Sequence, residues 1–134
     1  MSIAGAYSFS MQRGASFRRT FTRTYQSTGL TAIPVGYQAR AQFRTSDGAT
    51  GTTTATTLLL SLDEATDPAS IAVSNQPTGE VTLVLDINQV LLLCPTNVKT
   101  KVSYGLELYD DSTTPETVIP FLQGRSYILP ETAR

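Results

Sequence analysis

Apolar and polar positions alternate with period two along much of this chain, and in one place they follow a helical period. The cleanest alternation is Tyr37–Arg44, where Tyr37, Ala39, Ala41 and Phe43 interleave with Gln38, Arg40, Gln42 and Arg44. Successive side chains of a strand point to opposite faces, so this segment predicts a half-buried strand. The same pattern predicts strands over Tyr7–Met11, Ser16–Tyr25, Glu80–Leu85 and Lys99–Tyr109, with shorter ones at Leu58–Leu62 and Ile71–Val73. Thr117–Leu129 closes the series; Asp110, Asp111, Ser112 and Pro115 ahead of it supply turn chemistry, and Gly124 predicts a bend or bulge within it. Gln12–Ala15 reads as a turn, and Gln26–Gly36 as a connection anchored by Leu30 and Ile33.

One stretch reads as helix. Asp86 is an N-cap residue, Gln89 three positions on completes a capping box, and Pro95 stops the run, which predicts two turns over about 87–93. A helix so short needs tertiary support, here expected through Leu91 and Leu92 at the end of a sandwich. Seven to nine short strands and one short helix predict an all-β, two-sheet β-sandwich, a single domain over 1–134. Residues 1–6 are expected to be loose, and the Thr-rich stretch 45–57 to form an exposed loop.

Composition changes this picture in two ways. Charged residues are only 16% of the 134 residues, below the usual quarter or so, as in chains that hide surface against partners. The charges are also segregated. Met1–Ser46 holds six arginines (Arg13, Arg18, Arg19, Arg23, Arg40, Arg44) and no acid, whereas the remainder holds eleven acids against Lys99, Lys101, Arg125 and Arg134. Either the two halves pair within the fold, or they form a basic and an acidic face suited to contacts between copies. Net charge is −1, which gives no field to draw nucleic acid.

The residues offer little chemistry. The chain has no His, which removes the commonest general base and metal ligand. Cys94 is alone after Leu91, Leu92 and Leu93 and reads as a small buried residue. Asp63-Glu64 and Asp110-Asp111 sit in predicted turns, where acids serve the backbone, and no phosphate loop or Gly-x-Ser-x-Gly element occurs. No catalytic residue, metal or cofactor is expected, nor a secretion signal, a membrane span or a small-molecule substrate. The interaction candidates are Phe17, Arg18, Arg19, Phe21, Arg23 and Tyr25, one strand that interleaves rings with arginines as protein interfaces do.

Four features together carry a resemblance. They are the strand–Gly–strand unit around Gly14, the Gly36–Arg44 strand, the Tyr104–Asp110 strand, and an ending of Gly124, five residues, then Pro130-Glu131-Thr132-Ala133-Arg134. The chain resembles small β-sandwich proteins from the tails of long-tailed bacteriophages, and is similar to the immunoglobulin-like N-terminal domain of baseplate upper proteins. In that group the ending commonly closes on Thr-Arg, where here Ala133 intervenes. The resemblance implies an immunoglobulin-like fold and a non-enzymatic virion structural protein, made in the bacterial cytoplasm. Its expected partners are other virion proteins and copies of itself, as a tail or baseplate adaptor. The alternatives are a capsid decoration (cement) protein and a carbohydrate- or cell-surface-binding module; the absence of Trp counts against the last.

Overall fold

The computed structural model describes residues 5–22, 33–34, 36–45, 57–112 and 114–131. The strands are β1 (Gly5–Ala6), β2 (Phe9–Gln12), β3 (Phe17–Thr22), β4 (Gln38–Thr45), β5 (Leu58–Asp63), β6 (Ile71–Asn75), β7 (Glu80–Leu85), β8 (Thr100–Asp110) and β9 (Thr117–Leu129). The helix α1 spans Ile87–Leu93, between β7 and β8. Leu30, Arg23, Tyr25, most of the 45–57 stretch and the final Thr-Ala-Arg lie outside the described residues.

Among the described residues the strands form two sheets. The large sheet runs β1-β9-β8-β4-β5, with β2 also on β9, and the small sheet runs β3-β7-β6. This is an immunoglobulin-like two-sheet sandwich, the architecture expected. All pairings are antiparallel except those of β1 and β2, which run parallel to β9 with Gly5 opposite Leu122 and Gln12 opposite Leu129. The turn at Arg13–Ser16 therefore crosses from one sheet to the other, where Gly14 takes a φ of 86° that favours glycine.

Period-two alternation decides what is buried. Ala39, Ala41 and Phe43 of β4, Val102, Tyr104, Leu106 and Leu108 of β8, and Val81, Leu83 and Leu85 of β7 face the core. Phe9 joins the layers: its ring centre lies 4.9 Å from Tyr104, 5.2 Å from Phe17 and 5.4 Å from Phe21. Aromatic pairs at such spacing add roughly 0.5–1.5 kcal/mol each beyond their burial. Ile33 is buried, as an anchor should be.

Two local expectations are corrected. Helix α1 packs through Val90 and Leu93, not Leu91 and Leu92; Leu92 is 55% exposed. With Asp86 as N-cap, the i, i+3, i+4 stripe that meets the sheets is Val90, Leu93 and Cys94, all fully buried. The irregularity in β9 falls at Phe121, not Gly124. Leu106 pairs with Leu122 and Glu107 with Pro120, so Phe121 is the extra residue, and Phe121 and Leu122 are both buried. Gly124 serves a different purpose: a Cβ there would lie 2.1 Å from the Tyr7 carbonyl oxygen. The strand has glycine because β1 and β2 lie against it.

Candidate functional site

The sequence singled out one strand, and β3 is the part of it that is described. Phe17 and Phe21 turn toward the core, Phe17 half-buried and Phe21 buried. Arg19 shares their side but escapes at the sheet margin. Its guanidinium donates to the Tyr7 hydroxyl at 2.7 Å and lies 5.8 Å from the Phe17 ring centre. Tyr7 also meets Phe21 edge-on at 5.7 Å. The interleaving of rings and arginines thus closes the seam between the N-terminal strands and the small sheet, within one chain. Arg18 points the other way, exposed beside Thr20 and Thr22. There Thr20, Thr82 and Ser74 form a hydroxyl chain across the small sheet, at 2.9 and 2.8 Å. An outside partner could reach Arg18, Arg19 and that hydroxyl row; Phe21 belongs to the core. Arg23 and Tyr25 lie outside the described residues.

A larger candidate surface is the outer face of the large sheet, built by the polar positions of β4, β5, β8 and β9. It holds a depression of about 410 Å³ lined by Arg40, Gln42, Arg44, Ser61, Gly105 and Gln123 among others. At one end Arg40 donates to Glu107 at 2.6 Å and Glu116 at 2.7 Å, and stacks 4.5 Å from the Tyr109 ring centre. Hydrogen bonding to Glu116 first, then to Glu107, holds this guanidinium more firmly protonated than usual. The Tyr109 hydroxyl donates to Asp63, and desolvation, reinforced by that bond, raises its pKa.

Among the described residues the arginine-rich half and the acid-rich half do pair, in two places. Besides Arg40, Arg13 bonds Glu131 at 3.0 Å while donating to the Cys94 carbonyl at 2.9 Å. Arg18, Arg19 and Arg44 meet no carboxylate among the described residues.

The acidic pairs serve the backbone. Asp63 accepts from the Ala65 N–H, and Asp110 accepts from the Ser112 hydroxyl and N–H, which lowers its pKa. Glu64 was legible only as a turn residue; its Oε1 accepts the Ala39 N–H at 3.0 Å and the Val73 N–H at 3.2 Å, tying the two sheets at their corner. Cys94 is fully buried, its thiol among the Thr96 and Val98 carbonyls and the Thr100 hydroxyl. Among the described residues no three His, Cys, Asp or Glu side chains group as metal ligands, and no helix is long and apolar enough to cross a membrane.

The sequence showed the polar face of β4 but not what it would join. Gln42, Arg44 and Gly105 were visible as polar-side alternates of their strands; Gln123 and Arg125 were not placed on a face, and only the register of β8 on β4 and β9 brings all five together. A scan of this chain against protein-family models finds no match, and no curated protein sequence is significantly similar to it.

Proposed function

We propose that this chain is a structural subunit of a bacteriophage virion, a tail or baseplate adaptor that works through protein–protein contacts and carries out no catalysis. The observation that carries the reading is how the residues of the tail-protein resemblance are used. Gly124 clears the Tyr7 carbonyl, the Pro130 carbonyl accepts from Gln12, and Glu131 takes Arg13 on its side chain while its N–H donates to Asn97. The ending that resembles those proteins is thus the ending that fastens the N-terminal strands. A chain of low charge with two polar sheet faces also suits many-copy assembly, since each face offers hydrogen-bonding groups to neighbours.

Immunogold labelling of purified particles with an antibody to this chain tests the reading. Label at the tail tip or baseplate is the expected result. Label spread over the head would replace the adaptor with a cement protein, which the same sandwich suits. Particles free of label would overturn both.

Within this reading Arg18 and Arg19 are the accessible part of the strand singled out as an inter-subunit surface. Reversing both charges is expected to reduce incorporation into particles.

A further inference from the structure

The outer face of the large sheet carries a glycine that the fold itself does not require. Gly105 lies mid-way along β8 without positive φ, and a Cβ built there meets no atom within 4 Å. Glycine weakens a strand interior, and it recurs where a ligand or another backbone approaches closely. Among the described residues nothing occupies the approach to it.

The neighbours of Gly105 define what could approach. In its own row stand Gln42 on one side and Gln123 on the other, with Ser61 beyond Gln42. Two residues along the strands toward one end the row is Asp63, Arg40 and Glu107, with Glu116 reaching in to Arg40. Three carboxylates against one guanidinium leave that end negative. Two residues toward the other end stand Arg44, Ser103 and Arg125. Among the described residues Arg44 donates to the Gln42 side chain, and neither Arg44 nor Arg125 meets a carboxylate there. That end is positive.

We propose that this face is a two-fold contact with a second copy of the chain, its axis lying in the plane of the face along the Gln42–Gly105–Gln123 row. A rotation about that axis sets the negative row of each copy over the positive row of the other. Groups on the axis meet themselves, and each is self-complementary. A glutamine amide has both donors and an acceptor, so Gln42 pairs with Gln42 and Gln123 with Gln123. Gly105 facing Gly105 lets the sheets approach at the centre more closely than the usual spacing of about 10 Å. Such an interface is isologous and closes at two copies. Four strands about 4.8 Å apart and six residues of about 3.3 Å each give a face of roughly 19 by 20 Å. That buries roughly 380 Å² per copy, about 760 Å² in all, below the roughly 1,200 Å² at which standard specific interfaces begin, so the contact is weak and salt-sensitive.

The inference deepens the assembly reading and rests on it for the high local concentration that makes a weak contact count. Sedimentation velocity of the full chain over a concentration series tests it. The wild type is expected to pass from monomer to dimer with a dissociation constant of roughly 10–100 µM, and to dissociate at high salt. Arg44→Glu/Arg125→Glu and Glu107→Lys/Glu116→Lys are each expected to stay monomeric, and mixing the two to restore a one-to-one dimer. Gly105→Thr is expected to stay monomeric while melting no lower than the wild type, because its side chain enters open space and suits a strand. This variant keeps the test decisive where a charge reversal fails to fold. A wild type monomeric throughout, or a dimer that Gly105→Thr leaves intact, would overturn the self-contact. Either result leaves the virion reading to the particle labelling, which depends on no self-association.

Discussion

Replacing Gly124 with Ala puts the packing of the N-terminal strands to a quantitative test. The new Cβ would sit 2.1 Å from the Tyr7 oxygen and 3.0 Å from its carbonyl carbon, against the 3.0 Å that real Cβ atoms respect. The atoms in the way are backbone, so no side-chain rotation relieves the clash. The N-terminal segment must retreat by about 0.9 Å, the difference between those distances. Such a retreat stretches the 3.0 Å bond from the Tyr7 N–H to the Gln123 carbonyl beyond hydrogen-bonding range, and pulls the Tyr7 carbonyl from the Tyr104 hydroxyl, now 2.7 Å away. Each bond is worth about 1 kcal/mol, and leaving a half-buried hydroxyl unpartnered adds about 1 kcal/mol more. A loss of about 3 kcal/mol is expected. At about 2.1 cal/mol/K of unfolding entropy per residue, the chain lowers its Tm by roughly 10 °C. Thermal unfolding followed by circular dichroism measures this, with Gly105→Ala, whose Cβ enters open space, as the control. A Gly124→Ala protein melting within about 2 °C of the wild type would refute the reasoning, because Tyr7 would then not be held against β9.

Three further outcomes follow from named contacts. Burial first, and the Tyr7 phenol second, push the Tyr104 pKa up from 10.0 to about 12. The neutral phenol is therefore favoured in the folded chain, so this contribution is intact below pH 10 and is lost as pH rises from 10 toward 12. Denaturant melts across that range are expected to show a smaller alkaline loss in Tyr104→Phe than in the wild type. Glu64→Ala leaves the Ala39 and Val73 N–H groups without their acceptor and is expected to cost about 2–4 kcal/mol in urea unfolding. Glu64→Gln retains a side-chain oxygen there and is expected to recover most of that loss. Asp86→Ala removes the cap that accepts the Gln89 N–H at 2.7 Å and is expected to cost about 1 kcal/mol, read as a Tm lower by about 4 °C.

The sequence carried what is local. Asp86, Gln89 and Pro95 bracket α1 at Ile87–Leu93, and the alternation over Tyr37–Arg44 marks β4 with its inward side correct. What escaped depends on partners far along the chain. The stretch from Val118 to Leu122 is apolar throughout, so nothing in it announces that Phe121 is the residue inserted opposite the Leu106–Glu107 step. The pairing of β2 with β9 joins residues more than a hundred positions apart. The candidate strand was legible as an alternation of rings and arginines, but not the presence of Tyr7, whose hydroxyl accepts from Arg19 at the exposed sheet margin. Gly105 was legible as a position on the polar side of its strand, but only the register placed it between two glutamines.

The parallel run of β1 and β2 along β9 bears on how the subunit responds to being pulled. Tension applied at Gly5 and Leu129 acts along two strands that point the same way, so it slides one past the other. The hydrogen bonds between them lie across the pull and resist it together, where an antiparallel hairpin gripped at its open end would unzip one bond at a time. Gly124 adds a mechanical stop, because the Tyr7 carbonyl sits in the notch left by its missing side chain, flanked on the same face of the strand by the side chains of Leu122 and Ser126. Arg13 and Glu131 tie the far end of the same seam. The fold thus resists tension along the line joining β1 and β9 by shear, which is the loading an adaptor of the proposed kind would meet.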